Sequence, residues 1–161
     1  MKALENTTLR RAAGHFATGV TVVTTRNRDG ELSGLTMNAL TCLSLDPPLF
    51  LICVGNASDT LPVLLENRSF AINILAHDQE SISWIFASID EDRFDGIAYR
   101  IGETGSPLLE DVLATVECRI TETYPGGDHV IILGHVERTE VHDHKTEPLL
   151  FYRGGYAELV P

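Results

Sequence analysis

Basic residues are scarce in this chain: 12 Lys and Arg stand against 23 Asp and Glu, a formal net charge of -11 over 161 residues. Nucleic-acid binding needs a basic face that neutralises phosphates, and an anionic membrane surface asks for the same. The charge balance argues against both partners. The acidic residues are scattered along the chain, so they describe a solvated surface and not an acidic tail.

Cysteine is equally sparse. Cys42, Cys53 and Cys118 form no C-x-x-C pair, and each lies in an apolar run, which reads as buried, reduced thiols. No apolar run reaches the length of a membrane span, and the opening Met1-Lys-Ala-Leu-Glu-Asn lacks an apolar signal core. The expectation is a cytoplasmic protein. The familiar signatures of chemistry are missing too: no P-loop, no G-x-G-x-x-G fingerprint and no Ser-His-Asp arrangement. His142-Asp-His144 puts two imidazoles on one strand face, but no Cys or carboxylate cluster goes with them, so a solvated turn is expected and no metal site. His15, His77 and His135 have no constellation around them.

What is present is an ordinary globular composition, 43% apolar and 22% charged, without linker, repeat or low-complexity segment. A single domain over residues 1–161 follows. Helical spacing of Leu9, Ala12, Ala13 and Phe16, with Thr7 or Thr8 as cap, predicts a helix over residues 8–17. The β-branched run at residues 20–25 predicts a strand, and Asp29-Gly30 turns it into another over 32–40. A strand over 41–45 closes at Pro47-Pro48. The continuous apolar run at 49–54 reads as a strand buried on both faces. Ser58 caps a short helix over 61–66, residues 70–75 form a strand, and Asp78 caps a helix through Ser88 with Ile82, Ile85 and Phe86 on one face. Residues 91–106 read as loop. Long strands over 114–123 and 129–141 and a last strand over 149–152 complete an antiparallel barrel with peripheral helices.

One region does not fit a sheet built for packing alone. Gly34-Leu-Thr-Met-Asn-Ala, followed by Ser44-Leu-Asp-Pro-Pro-Leu, sets small and hydroxylic residues between two apolar strands. Such residues suggest that some other group approaches the backbone closely. Taken alone, they also read as an edge strand with Thr and Asn turned to solvent.

The ordered set of motifs resembles the flavin reductase-like family of FMN-binding split barrels. The resemblance runs through Thr18-Gly-Val-Thr-Val-Val-Thr, Gly34-Leu-Thr-Met-Asn-Ala, Ser44-Leu-Asp-Pro-Pro-Leu and Phe70-Ala-Ile-Asn-Ile-Leu. It continues through Arg93-Phe, Glu117-Cys, Gly127-Asp-His, Gly134-His-Val and Pro148-Leu-Leu-Phe-Tyr-Arg-Gly-Gly-Tyr. It implies a mainly β, antiparallel split barrel, a homodimer, bound FMN or FAD, and reduction of that flavin by NADH or NADPH. The close approach at Gly34 would then be that of the flavin.

The resemblance carries over residue by residue. Thr36, Met37, Asn38, Ala39 and Ser44 would face the isoalloxazine and ribityl chain, whose oxygens and nitrogens need short donors and acceptors. Cys53, Val54, Asn56, Ser58 and Thr60 surround the phosphate turn, where a helix start offers free N–H groups. The family commonly carries a basic residue at this turn; here Asp59 is acidic, and Arg93 would bring the charge from another loop. Phe86, Ser88, Arg93 and Phe94 would cover the flavin, with Tyr156 beyond them. His129 would position the nicotinamide nucleotide, with Asp128 orienting its ring.

The reading is an NAD(P)H:flavin oxidoreductase that supplies reduced flavin to a partner monooxygenase and holds that flavin with moderate affinity. Two other readings stay open: a flavoprotein whose permanently bound flavin reduces another acceptor, and a non-enzymatic flavin-binding module.

Overall fold

The structure is a computed structural model that describes residues 5–90, 92–144 and 147–159. Residues 1–4, which carry most of the reading of the N-terminus, lie outside the described residues, as does Glu91 at the start of the expected loop. In chain order the elements are α1 (Asn6–Ala13), β1 (Thr18–Gly19), β2 (Thr21–Arg26), β3 (Leu32–Met37), β4 (Leu40–Leu45) and β5 (Pro48–Gly55). Then come α2 (Thr60–Asn67), β6 (Ser69–Ile74), a 3-10 turn (His77–Gln79), α3 (Glu80–Ala87), β7 (Tyr99–Ile101) and β8 (Pro107–Leu109). The chain finishes with β9 (Ala114–Gly126), β10 (His129–Val141), β11 (Leu150–Tyr152) and β12 (Gly155–Ala157).

Seven strands form one antiparallel sheet in the order β3-β2-β6-β9-β10-β5-β4. Its edge strands β3 and β4 are separated in sequence by only Asn38 and Ala39, so the sheet has to curl back on itself. The Cys53 N–H donates to the Ala39 carbonyl at 2.9 Å and pins that junction. The result is a split barrel. A small sheet β1-β11-β12 and the hairpin β7-β8 flank it.

Strand alternation divides the core in two. Val23 of β2 joins Ile52, Val54, Phe70, Ile72 and Ile132. On the other face, Val20 and Val22 pack with Leu75, Phe86, Leu109 and Leu149. This is why β2 is buried along nearly its whole length. Between the layers the wholly buried Asn73 donates to the Val22 carbonyl and the Thr24 hydroxyl and accepts from the Leu109 N–H. A buried amide satisfied on both sides stitches β8 to the sheet.

Several expectations need correction. The first helix starts at Asn6 and stops at Ala13, with neither threonine capping it; none of its residues is buried, and Leu9 and Phe16 are exposed. Its expected apolar face therefore has no floor within the chain. On β5 only Ile52 and Val54 are buried, so that strand has one covered face, not two. Of the thiols, Cys118 is buried, Cys53 half-buried and Cys42 exposed, because β4 is an edge. Asp78 lies inside the 3-10 turn, and the Gln79 side chain caps instead, accepting from the Ala76 N–H at 3.0 Å. The stretch read as loop contains β7 and leads into β8, while Ile85 of α3 is exposed.

Candidate functional site

The outer strand β3 and helix α3 create the site. A Cβ added at Gly34 would stand 3.0 Å from Phe86 Cε1 and 3.2 Å from the Val23 carbonyl. Only a residue without a side chain lets the Phe86 ring lie on the strand. The close approach that Gly34 permits is thus filled by the protein's own α3, not by a ligand. The contact holds α3 against β3 and opens a cleft on either side of their crossing.

The first cavity, about 260 Å³, is walled by Thr36, Met37 and Asn38 on one side and by Ser83, Trp84 and Ala87 of α3 on the other. Val20, Phe151, Gly154 and Tyr156 close it. Its polar groups are held in place. Thr36 Oγ1 donates to the Ser83 carbonyl at 2.6 Å, the Tyr156 and Ser83 hydroxyls meet at 2.7 Å, and Asn38 Nδ2 donates to Thr18 Oγ1 at 3.1 Å. Trp84 stands edge-on to Tyr156 with ring centroids 5.6 Å apart, while Phe151 lies edge-on to Tyr156 from the other side.

The second cavity, about 490 Å³, shares Thr36 and Ala87 with the first and continues past Leu35, Phe86 and Ile89 to Ser58, Asp59, Ser88 and Arg93. Arg93 is only 8% exposed. It donates to the Gly34 carbonyl at 2.8 Å and grips the Asp59 carboxylate with both terminal nitrogens, at 3.2 and 2.6 Å. The Arg93 hydrogen bond holds the Asp59 carboxyl below its ordinary range. Asp59 is therefore the partner that orients the cation and does not displace it. Arg93 Nε is buried and has no hydrogen-bond partner among the described residues. A buried N–H donor beside a cavity is the group that an anionic oxygen satisfies. Ser58 Oγ accepts from the Thr60 N–H at 3.3 Å, and Ser88 Oγ donates to the Ile85 carbonyl at 2.8 Å.

His129 lies at the end of β10, opposite Gly55 and just after Gly127, which turns with φ +76°. Its Nδ1 is 2.7 Å from Asp128 Oδ1, a contact that holds the Asp128 carboxyl below its ordinary range and leaves Nε2 as the other ring nitrogen. Asn56 is committed to this turn: its N–H donates to the Asp128 carbonyl at 2.9 Å and its amide to the Gly127 carbonyl at 3.3 Å.

The structure thus gathers Thr36, Met37, Asn38 and Tyr156 in one cavity and Thr36, Ser58, Phe86, Ser88 and Arg93 in the other. It does not bring Ala39, Ser44, Cys53, Val54, Asn56, Thr60, Phe94 or His129 into either wall. Val54 and Thr60 are wholly buried, and the Thr60 hydroxyl donates to the Gly34 carbonyl at 3.3 Å. Ser44 is half-buried beside a bulge on β4. Phe94 packs edge-on to Phe86. Sequence reasoning missed Ser83, Trp84, Phe151 and Gly154. The signal for Trp84 was its position off the apolar face of α3, which is where a cleft has to lie. Among the described residues no cluster of three or more His, Cys, Asp and Glu side chains could hold a metal ion.

Comparison with known proteins decides the family. The flavin reductase like domain matches residues 13–160. The chain belongs to the flavin reductase-like family. It is 36% identical to a flavin reductase of Pseudomonas putida over 154 residues, covering 96% of this chain and 90% of the relative. It is 39% identical over 155 residues to HsaB, the reductase subunit of a flavin-dependent monooxygenase of Mycobacterium tuberculosis, covering 96% and 82% of the two chains. Among solved structures, the NADH:FAD oxidoreductase SgcE6 of Streptomyces globisporus, in complex with NAD and FAD fragments, superposes with a TM-score of 0.92. That pair is 36% identical, with 100% of this chain and 98% of the other covered.

Proposed function

We infer that the protein is an NAD(P)H:flavin oxidoreductase that supplies reduced flavin to a partner oxygenase. The observation that carries this reading is the pair of cavities joined at Thr36 and Ala87, one walled by aromatic rings and short polar groups, the other lined by Arg93 with Ser58 and Ser88. That donor set fits a flavin nucleotide: rings and hydroxyls for the isoalloxazine and ribityl parts, a guanidinium with two serines for the phosphate. When bound, the flavin supplies a ring that accepts hydride from the reduced nicotinamide.

The protein's own work is binding and alignment. Thr36 and Asn38 are positioned by their bonds to α3 and β1, so they meet a ligand already oriented. Trp84 and Tyr156 present ring surface that excludes water. Arg93, held by Asp59, anchors the anionic end. His129, held by Asp128, would position the nicotinamide nucleotide through Nε2. Hydride transfer asks for alignment and a dry contact more than for a proton donor, in keeping with a site that has no acid–base pair at its centre.

The active unit would be a homodimer in the cytoplasm. Support comes from α1, which buries none of its residues within the chain, and from the exposed Leu43 and Leu45 on the edge strand β4. None of the helices among the described residues is long and apolar enough to cross a membrane.

Steady-state oxidation of NADH and NADPH with FMN or FAD in excess tests the reading. Saturable consumption of free flavin is expected. Turnover that ignores added flavin would replace the reading with a permanently bound prosthetic group, and the absence of any flavin bleaching under anaerobic NADH would leave a binding module only.

A further inference from the structure

We propose that Arg10, Arg11 and Arg153 form an anion subsite that takes the diphosphate of a nicotinamide dinucleotide entering the cavity beside Gly154. The proposal rests on the flavin-reductase reading of that cavity. Arg10 and Arg11 occupy the last turn of α1, and the Arg153 N–H donates to the Gly14 carbonyl at 2.8 Å. A Cβ on Gly14 would lie 3.5 Å from Arg153 Cα, so the helix end and the 153–154 turn are in contact. Gly154 in turn lines the cavity with Asn38, Phe151 and Tyr156. All three arginines are exposed.

Their position sets these three charges apart from the other arginines. Arg28, Arg93, Arg100 and Arg138 each meet a carboxylate. Arg10, Arg11 and Arg153, like Arg26, Arg68 and Arg119, make no ion pair among the described residues, and of these six only the first three lie at the α1 end beside Gly154. Preference of cations for a helix C-terminus accounts for Arg10 and Arg11, but not for Arg153. Arg153 sits at φ 52°, a left-handed conformation that side chains adopt at a cost, and Gly154 follows it at φ 84°. These two positive φ values make the two-residue turn between β11 and β12, and that turn sets Arg153 next to the cavity-lining Gly154.

The same helix end faces the nicotinamide side. Asp128 is held below the ordinary carboxylate range mainly by its hydrogen bond with His129, and Arg10 adds to that field. The Arg10 charge is thus felt at the His129 turn, while the end of its helix contacts Arg153, the neighbour of the cavity-lining Gly154. A molecule reaching from His129 to the cavity would pass the guanidiniums. A diphosphate carries about two negative charges and several acceptor oxygens, a match for forked donors. In a protein of net charge -11, this patch would also give anionic substrates a local point of attraction.

NAD(P)H carries that chemistry at this end of the site; FAD would bring its diphosphate to the Arg93 end, where the flavin phosphate is placed, and serves as the control. R10Q/R11Q and R153Q variants are compared with wild type using NADH and reduced nicotinamide mononucleotide as donors and FMN and FAD as acceptors. A rise of about ten-fold in the KM for NADH, with the mononucleotide little changed, assigns the subsite to the donor. The same rise for FAD but not FMN would overturn the proposal, because the flavin phosphate is placed at Arg93. Arg153→Lys should recover part of the loss, which a structural defect would not allow.

Equilibrium titration with ADP makes the test independent of turnover: wild type should bind it, and R10Q/R11Q/R153Q should bind about ten-fold more weakly. If wild type turns over no flavin but ADP binding still depends on the arginines, the flavin-reductase reading fails and the anion subsite stands. KM values within two-fold of wild type for all substrates, equal losses for truncated and full-length ones, or ADP binding that is absent or indifferent to the arginines would overturn the proposal.

Discussion

The two cavities that meet at Thr36 are built on opposite plans. The one toward Tyr156 is a wall of rings and short side chains, and its hydroxyls are locked by bonds within the protein. The one toward Arg93 ends on a buried guanidinium whose terminal nitrogens are committed and whose Nε is not. A planar ring asks for surface and shape, while an anionic group asks for oriented donors, so the difference is that between the two ends of a flavin nucleotide. Arg93 and Arg153 extend the contrast: one is buried and paired, the other exposed and without an ion pair among the described residues.

The largest effect should come from removing the buried cation. Arg93→Met deletes the bonds to the Gly34 carbonyl and to Asp59; hydrogen bonds to charged groups are worth about 1.5–3 kcal/mol, so a loss of about 3 kcal/mol in urea unfolding is expected. FMN binding should fall with it while riboflavin, which has no phosphate, is affected less. Equal losses for both would mean that the two ends are not distinct.

Gly34→Ala comes next. Its Cβ meets Phe86 at 3.0 Å, and overpacking of this kind costs about 1–3 kcal/mol. Adding Phe86→Leu should return part of that stability, and a double-mutant cycle without coupling would refute the crossing contact. Tyr156→Phe leaves the Ser83 hydroxyl without its partner in a wholly buried position, at about 1 kcal/mol. Its effect should appear in the ring-binding cavity and hardly in the phosphate end.

These tests also mark what was legible in the sequence. Residues 20–25 announced β2 within one residue, because a β-branched run buried on both faces has few other outcomes. At the phosphate end the sequence suggested Arg93 as the source of charge, but it does not show that Arg93 pairs with Asp59, 34 positions away. Gly34 was legible as a point of close approach, but the approaching group is Phe86, a contact only the fold specifies. Trp84 was passed over because helical periodicity reports the face toward the core and is silent on a cleft at its margin. The strands β7, β8 and β12 have three residues each, too short for alternation to register.

The smallest effect concerns acid. The folded Asp59 carboxyl is depressed by Arg93, so its contribution is present above the unfolded carboxyl's ordinary value and is lost as pH falls through the folded one. Asp59→Asn should therefore be less stable than wild type at neutral pH, and the two should converge below the carboxylate range. Denaturant unfolding across that range checks it. A constant gap would show that the pair contributes nothing through ionisation.

The central claim, that the flavin ring lies between β3 and α3, is tested most directly by the fluorescence of Trp84, the chain's one tryptophan, which lines that cavity. Titration with FMN should quench it saturably at one flavin per chain, with the midpoint shifted in Arg93→Met. Emission that stays constant while equilibrium dialysis shows FMN bound would place the ring elsewhere and contradict the account.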